Sequence, residues 1–213
     1  MTQSMLTSAL TTESIPAAVE QAVQVLGSGG LVAFPTDTVY GLAAHAFDPQ
    51  GINSLYRVKE RETNKAIAIL LASLAELELV TINLPPHAYL LADRFWPGPL
   101  TLVVPRHPDL PENISPSPTI GVRMPNHPLA LALLRASGPL AVTSANLSGY
   151  PSATNAGQVQ QQLGGRVDLI IDGGETIGGT PSTVVDCTRH ELAVLREGPI
   201  SKAELDQVLF SNK

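Results

Sequence analysis

Short apolar segments alternate with helical segments along this chain of 213 residues, and no other feature constrains the fold more. Residues 31–34, 140–142 and 183–187 have the length and β-branched or apolar composition of buried strands. The segments between them favour helices and loops. Strands and helices that alternate without a repeat or a linker indicate one α/β domain, which we place at residues 14–213.

Caps, glycines and prolines predict where the elements begin and end. Ser14 is predicted to cap a first helix over residues 17–26, with Pro16 in its first turn, where a missing N–H costs little. Ser201 is predicted to cap the last helix, which ends at residue 209. Residues 1–13 are polar and rich in Ser and Thr, so we expect a flexible N-terminal tail. The other predicted helices are 50–58, 73–79, 86–95, 128–137 and 155–163, and the other strands are 66–71, 100–104, 120–124, 168–171 and 192–196.

The strand at 31–34 leads directly into a polar loop, Pro35-Thr36-Asp37-Thr38-Val39-Tyr40-Gly41-Leu42. Proline ends the strand because it has no N–H for the ladder, and the loop then carries two hydroxyls, a carboxylate and a phenol. Open α/β sheets bind ligands at strand ends of this kind. Pro-Thr-Asp is also ordinary turn chemistry, so this loop alone supports a binding site and a simple turn equally.

Similar polar loops recur at two further strands. The strand at 140–142 runs into Thr143-Ser144-Ala145-Asn146-Leu147-Ser148-Gly149, and the strand at 183–187 follows Gly178-Gly179-Thr180-Pro181-Ser182. Repetition of hydroxyl-rich loops at strand ends favours a functional site over a single turn.

Composition excludes several classes of protein. The 13 basic and 19 acidic residues give a formal charge of −6, which argues against a protein that coats nucleic acid through clustered Lys and Arg. There is no run of about eighteen apolar residues, so no membrane span is predicted. The N-terminus lacks the pattern of a secretory signal. The single Cys187 excludes an internal disulfide and favours a buried, inert thiol, and together these features predict a cytoplasmic protein.

Taken together and in order, the motifs resemble those of the threonylcarbamoyl-AMP synthase family, also called the YrdC/Sua5 family, from about residue 16 to about residue 201. Besides the three loops, the resemblance rests on Val58-Lys59-Glu60-Arg61, Lys65, Trp96-Pro97-Gly98-Pro99-Leu100-Thr101 and Ile120-Gly121-Val122-Arg123. It implies a single twisted, open, mixed sheet with flanking helices and a concave ligand-binding face. Because the chain ends at Lys213, it resembles the short, single-domain class.

The resemblance implies a nucleotidyltransferase, L-threonylcarbamoyladenylate synthase. In that reaction the amine of L-threonine forms a carbamate with bicarbonate or CO2, and a carbamate oxygen attacks the α-phosphorus of ATP and releases pyrophosphate. The product supplies a downstream threonylcarbamoyl transferase complex that modifies adenosine 37 of tRNA. Mg2+ is expected to accompany ATP, held mainly by phosphates and water. No Walker-type glycine loop occurs, so side chains are expected to hold the phosphates.

The resemblance also implies the site residues. The catalytic set is Lys59, Arg61, Ser144 and Asn146. The ATP-binding set is Arg61, Lys65, Thr119, Asn146, Thr154 and Arg196. The threonine-binding set is Thr38, Arg123, Ser144 and Ser182. The residues alone favour blander interpretations: a solvated charge cluster for the basic residues at 59–65, an ion-paired or surface arginine for Arg123, and turn residues for Ser144 and Asn146.

One position departs from the family pattern. Leu70 stands where many members have a histidine in the threonine site, so we expect backbone carbonyls or Thr38 to contact the substrate amine. The absence of this histidine recurs in short members and marks a subclass. The five histidines show no metal-ligand spacing, and no metal site is predicted. The segment Trp96-Pro97-Gly98-Pro99 is interpreted as a rigid turn with a buried indole.

Two other functions stay open. A non-catalytic RNA-binding or ribosome-maturation factor would use the same concave surface, but the negative charge and the lack of an aromatic stacking platform leave only weak RNA binding expected. A carbamoyl-transfer module is the other alternative. Related domains in hydrogenase-maturation proteins come fused to acylphosphatase-like and zinc-finger segments, and this chain has neither.

Overall fold

The computed structural model describes residues 4–189 and 191–210, so residues 1–3 of the predicted tail and His190 lie outside the described residues. One sheet contains all ten strands of the described chain, and seven α-helices flank it. The strands are β1 Met5–Ser8, β2 Val32–Phe34, β3 Gly41–His45, β4 Ala68–Leu70, β5 Leu100–Pro105, β6 Thr119–Arg123, β7 Leu140–Ser144, β8 Leu169–Asp172, β9 Thr183–Asp186 and β10 Ala193–Arg196. The helices are α1 Ile15–Gly27, α2 Pro49–Lys59, α3 Leu77–Val80, α4 Pro86–Phe95, α5 Pro128–Ser137, α6 Ala156–Leu163 and α7 Lys202–Phe210.

The strand order is β1-β8-β2-β3-β7-β4-β6-β5-β9-β10. Strand β8 lies parallel to both β1 and β2, and β4–β6 and β5–β9 are also parallel pairs. The pairs β2–β3, β3–β7, β4–β7, β5–β6 and β9–β10 are antiparallel. The α/β class that the alternation predicted, and the single mixed sheet that the resemblance implied, are therefore confirmed.

The alternation of side chains along each strand separates a core from a cavity. On β6, Ile120 and Val122 belong to the larger hydrophobic cluster, whereas Gly121 and Arg123 line a cavity on the opposite face. Helices α2, α3, α4 and α6 contribute buried side chains to the larger cluster. Such an alternation is the direct consequence of the two-residue period of a strand.

Helices cover only part of the cavity-bearing face. Helices α1 and α5 pack against each other and form a second cluster with residues of β2, β3, β7 and β8. Residues of β4, β5, β6 and β9 on the same face line the cavity instead. The cavity lies on the part of this sheet face that α1 and α5 leave uncovered.

The predicted bounds of helices agree with the structure where a proline or a capping residue marks an end of the helix. Helices α4 and α5 have the predicted bounds, and Ser201 caps α7 through its hydroxyl, 3.3 Å from the backbone N of Glu204. Cys187 is fully buried, and burial raises its pKa to about 12. None of the helices in the described part of the chain is long and apolar enough to cross a membrane.

Three local predictions were wrong. Met5–Ser8 form the edge strand β1, paired with β8, where a flexible tail was predicted. Gly41–His45 form the central strand β3, where the sequence predicted a loop and no strand. Its glycine and alanines have low β-propensity, so the segment carries little local strand signal. Ser14 does not cap α1. It sits in a 3₁₀ turn, and its hydroxyl donates to the carbonyl of Thr11 at 2.8 Å.

Replacing Gly198 by alanine tests the close contact between the β10–α7 connection and β9. A Cβ at this position would lie 2.6 Å from the backbone C of Ser182, 2.7 Å from the carbonyl oxygen of Pro181, and close to the backbone N of Thr183. Because backbone atoms cannot move aside cheaply, we expect Gly198→Ala to lower the free energy of unfolding by about 1–3 kcal/mol in urea denaturation. Gly27→Ala is the control, since a Cβ there meets no atom within 4 Å. An equally small effect of both substitutions would contradict the prediction.

Candidate active site

A cavity of about 310 Å³ lies on the uncovered part of the sheet face. Its floor comes from β3 to β7 and from β9, and the loop after β2 contributes Thr36 and Thr38 to its wall. Six of the residues predicted for the site line this cavity: Thr38, Arg61, Arg123, Ser144, Ser182 and Arg196. Each of these six residues comes from a different element or loop of the chain, and the fold brings them together.

Arg61 reaches the cavity because helix α2 ends just before it. Asp48 caps the start of α2 by accepting from the backbone N of Gln50 at 2.9 Å, and Glu60 ends the helix in the left-handed conformation, with φ 52°. The Arg61 guanidinium then donates to the carbonyl oxygens of Lys65 at 3.3 Å and Ala66 at 2.9 Å. The guanidinium is thereby held at the wall of the cavity by backbone oxygens alone.

Arg196, at the end of β10, is held in the same way on another wall. Its Nε and Nη2 donate to the carbonyl oxygen of Ser182 at 3.0 and 2.8 Å, and Nη2 also donates to the Ser182 hydroxyl at 3.0 Å. The Ser182 hydroxyl lies 2.8 Å from that of Thr101 on β5. Arg196, Ser182 and Thr101 therefore form one polar cluster at the β5–β9 side of the cavity.

The cavity carries an excess of positive charge. Neither Arg61 nor Arg196 forms an ion pair with a carboxylate of the described chain, and no acidic side chain lines the cavity. Burial lowers the pKa of both arginines, and the charge of Arg61 lowers the pKa of Arg196 further, so the two charges are close enough to repel each other. Two confined, uncompensated guanidinium groups are a binding site for an anion.

Arg123, in contrast, is neutralised within the protein. Its Nη2 donates to the Asp37 carboxylate at 2.6 Å, its Nη1 to the Thr38 hydroxyl at 3.0 Å, and its Nε to the carbonyl of Gly98 at 2.9 Å. The ion-paired interpretation left open above is thus correct for this arginine. A guanidinium has five N–H donors, so one remains on each terminal nitrogen.

Lys59 lies beneath the cavity and does not line it. Only 1% of its surface is exposed, and its Nζ donates to the carbonyl oxygens of Ser144 and Asn146. Burial lowers the Lys59 pKa to about 7, with a smaller contribution from the charge of Arg61. The side chain connects the end of α2 to the loop that follows β7.

Asn146 belongs to the same buried loop. Its amide nitrogen donates to the carbonyls of Leu147 at 2.7 Å and Tyr150 at 2.8 Å, whereas its Oδ1 is buried and accepts no hydrogen bond within the described chain. An unsatisfied buried carbonyl oxygen is costly and is commonly explained by an ordered water or a ligand. Ser144, two residues before Asn146 at the end of β7, lines the cavity directly.

Besides the buried Asn146, three residues predicted to bind ATP do not line this cavity. Lys65 is half-exposed and pairs with Glu62 at 3.1 Å. The Thr119 hydroxyl lies 2.9 Å from that of Ser117, and the Thr154 hydroxyl donates to Gln158 at 3.3 Å. Thr119 shares a face of β6 with Gly121 and Arg123, and Thr154 comes two residues after the lining residue Ser152. Each of the three is within two residues of a lining residue in the sequence, but none is part of the cavity wall.

Sequence reasoning missed two contributors to the site. Thr101 was noted only as part of a motif, and its contact with Ser182 depends on the β5–β9 pairing. Asp37 was recognised only as a carboxylate of the loop, without a partner. In an extended segment its side chain would face away from those of Thr36 and Thr38, and this alternation was the available signal. Leu70 lines the cavity, as do the apolar side chains Val142 and Val184.

The donor set does not fit a resident metal ion. The cavity wall offers hydroxyls and guanidinium groups but no carboxylate, and the nearby Asp37 carboxylate is taken by Arg123. In proteins, Mg2+ is usually held by one or two carboxylates together with water and substrate phosphates. Among the described residues, no group of three His, Cys, Asp or Glu side chains could hold a metal.

Comparison with known proteins gives consistent matches. The chain is 43% identical over 194 residues to the threonylcarbamoyl-AMP synthase of Bacillus subtilis, covering 90% of this chain and 56% of that protein. Its structure is similar to the crystal structure of Pyrococcus abyssi Sua5 complexed with L-threonine, with a TM-score of 0.91, 40% identity, and coverage of 98% of this chain and 61% of that one. Escherichia coli YciO is a third match, with a TM-score of 0.85, 27% identity, and coverage of 96% and 100%.

The chain spans little more than half the length of the curated relatives from Bacillus subtilis and Pyrococcus abyssi, at 56% and 54%. The sequence profile of the Sua5/YciO/YrdC family, described as "Telomere recombination", matches residues 24–198. That range contains all the cavity-lining residues, from Thr36 to Arg196. The chain belongs to the Sua5/YciO/YrdC family.

Proposed function

We propose that this protein is an L-threonylcarbamoyladenylate synthase, which joins L-threonine, bicarbonate or CO2, and ATP into threonylcarbamoyl-AMP and pyrophosphate. One observation carries the proposal: a single cavity has two uncompensated arginines, Arg61 and Arg196, and a neutralised one, Arg123, among hydroxyl groups. A polyanion such as a triphosphate would bind the two uncompensated arginines, and a small carboxylate would bind the neutralised one. The name of the Bacillus subtilis relative and the threonine complex of Pyrococcus abyssi Sua5 support this reaction.

Arg61 and Arg196 are proposed to bind the phosphates of ATP. Their guanidinium groups are held by backbone carbonyls, so they need little reorganisation when charge builds up on the phosphates during transfer. Lys65, Thr119 and Thr154 are proposed to contact ATP from the edge of the cavity, as the family resemblance implies. Mg2+ is proposed to enter with ATP on its phosphates and water, because the cavity offers no carboxylate.

Arg123 is proposed to bind the carboxylate of threonine through the two N–H groups that remain on its terminal nitrogens. Thr38, Ser144 and Ser182 are proposed to bind the rest of the amino acid, and the apolar side chain of Leu70 provides packing where other members have a histidine. The bound amine reacts in its neutral form with CO2 to give the carbamate. A carbamate oxygen then attacks the α-phosphorus as pyrophosphate leaves, which requires both substrates to be held in line.

Lys59 is proposed to act mainly by positioning the site. Its Nζ donates to the carbonyls of Ser144 and Asn146, and the side chain is buried and does not line the cavity in which the phosphates are proposed to bind. Holding the loop after β7 fixes Ser144 at the cavity wall and the free Oδ1 of Asn146 beside it. The catalytic set of Lys59, Arg61, Ser144 and Asn146 thus divides into residues proposed to contact substrate and one that holds them in place.

The proposed function is tested by incubating the pure protein with ATP, threonine and bicarbonate and measuring pyrophosphate. Release that requires all three substrates supports the synthase. Failure to release pyrophosphate, together with nanomolar affinity for tRNA or rRNA in filter binding at physiological salt, would favour the RNA-binding alternative. The net charge of −6 instead leads us to expect weak RNA binding. The family resemblance implies a threonylcarbamoyl transferase complex as the downstream partner.

Removing the Arg61 guanidinium should impair the chemical step without unfolding the protein. We expect Arg61→Ala to lose about 2–4 kcal/mol of transition-state stabilisation, measured as kcat/KM for ATP, because one preorganised charge contact is lost. Arg57→Ala is the control, since this exposed arginine lies on α2, outside the cavity, and donates to the Ser54 hydroxyl. Similar rates in both variants, at unchanged melting temperatures, would contradict the role of Arg61.

The lowered pKa of Lys59 predicts a specific dependence of stability on pH. Between pH 7 and the ordinary lysine value of 10.5, the unfolded chain holds a proton on Lys59 that the folded protein has released. The unfolded state then binds more protons, so the contribution of Lys59 to the free energy of unfolding rises with pH through this window and is constant below it. We expect the difference between wild type and Lys59→Met in urea denaturation to grow in favour of wild type from pH 7 to pH 9. A difference independent of pH would show that the buried ammonium is not destabilised.

The hydroxyls of Thr38, Ser144 and Ser182 predict the choice of amino acid. Valine replaces the substrate hydroxyl by a methyl group and would leave polar groups of the cavity unpaired, so it should be rejected strongly. Serine lacks only the methyl group, worth about 1–3 kcal/mol, and should be a poor but detectable substrate. Pyrophosphate release with threonine, serine and valine measures this order. Valine matching or exceeding serine would show that the proposed threonine residues are wrong.

A further inference from the structure

Asp37 stands behind Arg123 and outside the cavity. Its Oδ1 accepts from Arg123 Nη2 at 2.6 Å and from the backbone N–H of Asn126 at 3.1 Å. The side chains of Arg123 and Asp37 are only 7% and 14% exposed, whereas Thr36 and Thr38 on either side of Asp37 line the cavity. Asp37 is therefore placed to act on a ligand only through Arg123.

The ion pair divides the cavity into two electrostatically different parts. The guanidinium groups of Arg61 and Arg196 contact only uncharged oxygens within the described chain. The Arg123 guanidinium has a carboxylate in direct contact. Because all three arginines line one cavity of about 310 Å³, a polyphosphate would meet three positive charges if Asp37 were neutral.

We infer that Asp37 determines specificity: by cancelling the charge of Arg123, it makes that part of the cavity accept the single carboxylate of an amino acid and reject polyphosphate. A carboxylate with one charge can be held by the two remaining N–H groups of Arg123. A polyphosphate loses far more hydration on burial and needs a net positive charge to offset that loss. The inference rests on the proposed function and deepens it, since it explains how ATP and threonine are kept in separate parts of one cavity.

The test separates charge from geometry. Asp37→Asn keeps an acceptor oxygen for Arg123 and Asn126 but removes the negative charge. Asp48→Asn is the matched control, because it removes the same charge at the start of α2, away from the cavity, and asparagine caps a helix as well as aspartate does. Threonine binding to each protein is measured by calorimetry with and without inorganic pyrophosphate, and without ATP, so that no turnover occurs.

We expect pyrophosphate to leave the Kd for threonine unchanged in the wild type and in Asp48→Asn. In Asp37→Asn, pyrophosphate should raise the apparent Kd for threonine by about tenfold or more, because it now competes for Arg123. A purely structural role of Asp37 would lower stability or weaken threonine binding equally with and without pyrophosphate. Equal effects of pyrophosphate in Asp37→Asn and wild type, or competition already present in the wild type, would overturn the inference.

Removing one partner of a buried ion pair can also unfold a protein. If Asp37→Asn does not fold, Asp37→Ser is titrated in its place, since the smaller side chain lets water reach the guanidinium, and the same increase in Kd is expected. The proposed function can fail separately. A wild type that binds threonine but releases no pyrophosphate with ATP and bicarbonate would overturn the synthase proposal and leave the inference about Asp37 intact. A wild type that binds neither threonine nor pyrophosphate would overturn both.

Discussion

The buried ammonium of Lys59 joins two parts of the chain that contribute to the cavity, the end of α2 and the end of β7. It lies at the end of α2, and its hydrogen bonds to the carbonyls of Ser144 and Asn146 join that helix to the end of β7. On one side of this contact, Glu60 turns the chain and sends Arg61 into the cavity. On the other side, Ser144 lines the cavity and Asn146 presents a free acceptor. Burying a cation costs free energy, which its hydrogen bonds only partly offset, and the lowered Lys59 pKa reflects that cost.

The distribution of positive charge in the cavity depends on which of its arginines has a carboxylate as a partner. Asp37 reaches Arg123 because the loop after β2 lies against the end of β6. Arg61 and Arg196 are instead anchored by carbonyl oxygens, which orient a guanidinium without cancelling its charge. An anion entering the cavity therefore meets its strongest attraction at these two arginines, and a zwitterion can occupy the rest. This division is the physical basis of the proposed synthase activity.

Sequence patterns predicted the helices well and the strands less evenly. The bounds of α4 and α5 were predicted correctly because prolines at their first turns are local signals. Strand β3 has the sequence Gly-Leu-Ala-Ala-His and is a strand because it lies between β2 and β7, with both faces buried. Strand β1 exists because β8 offers it an edge about 160 residues away in the chain. Neither pairing partner can be identified from the segment itself.

The sequence by itself determined the family, the α/β class and the set of basic and hydroxyl residues, because these depend on motifs whose order and composition are local. Only the tertiary structure decided what those residues do in the fold. Lys59 became a buried connector, Arg123 an ion-paired residue, and Lys65 a half-exposed neighbour of Glu62. The physical reason is that the charge state and reach of a side chain depend on its burial and its partners. Arg123 and Asp37, 86 residues apart in the sequence, become partners only when the sheet has formed.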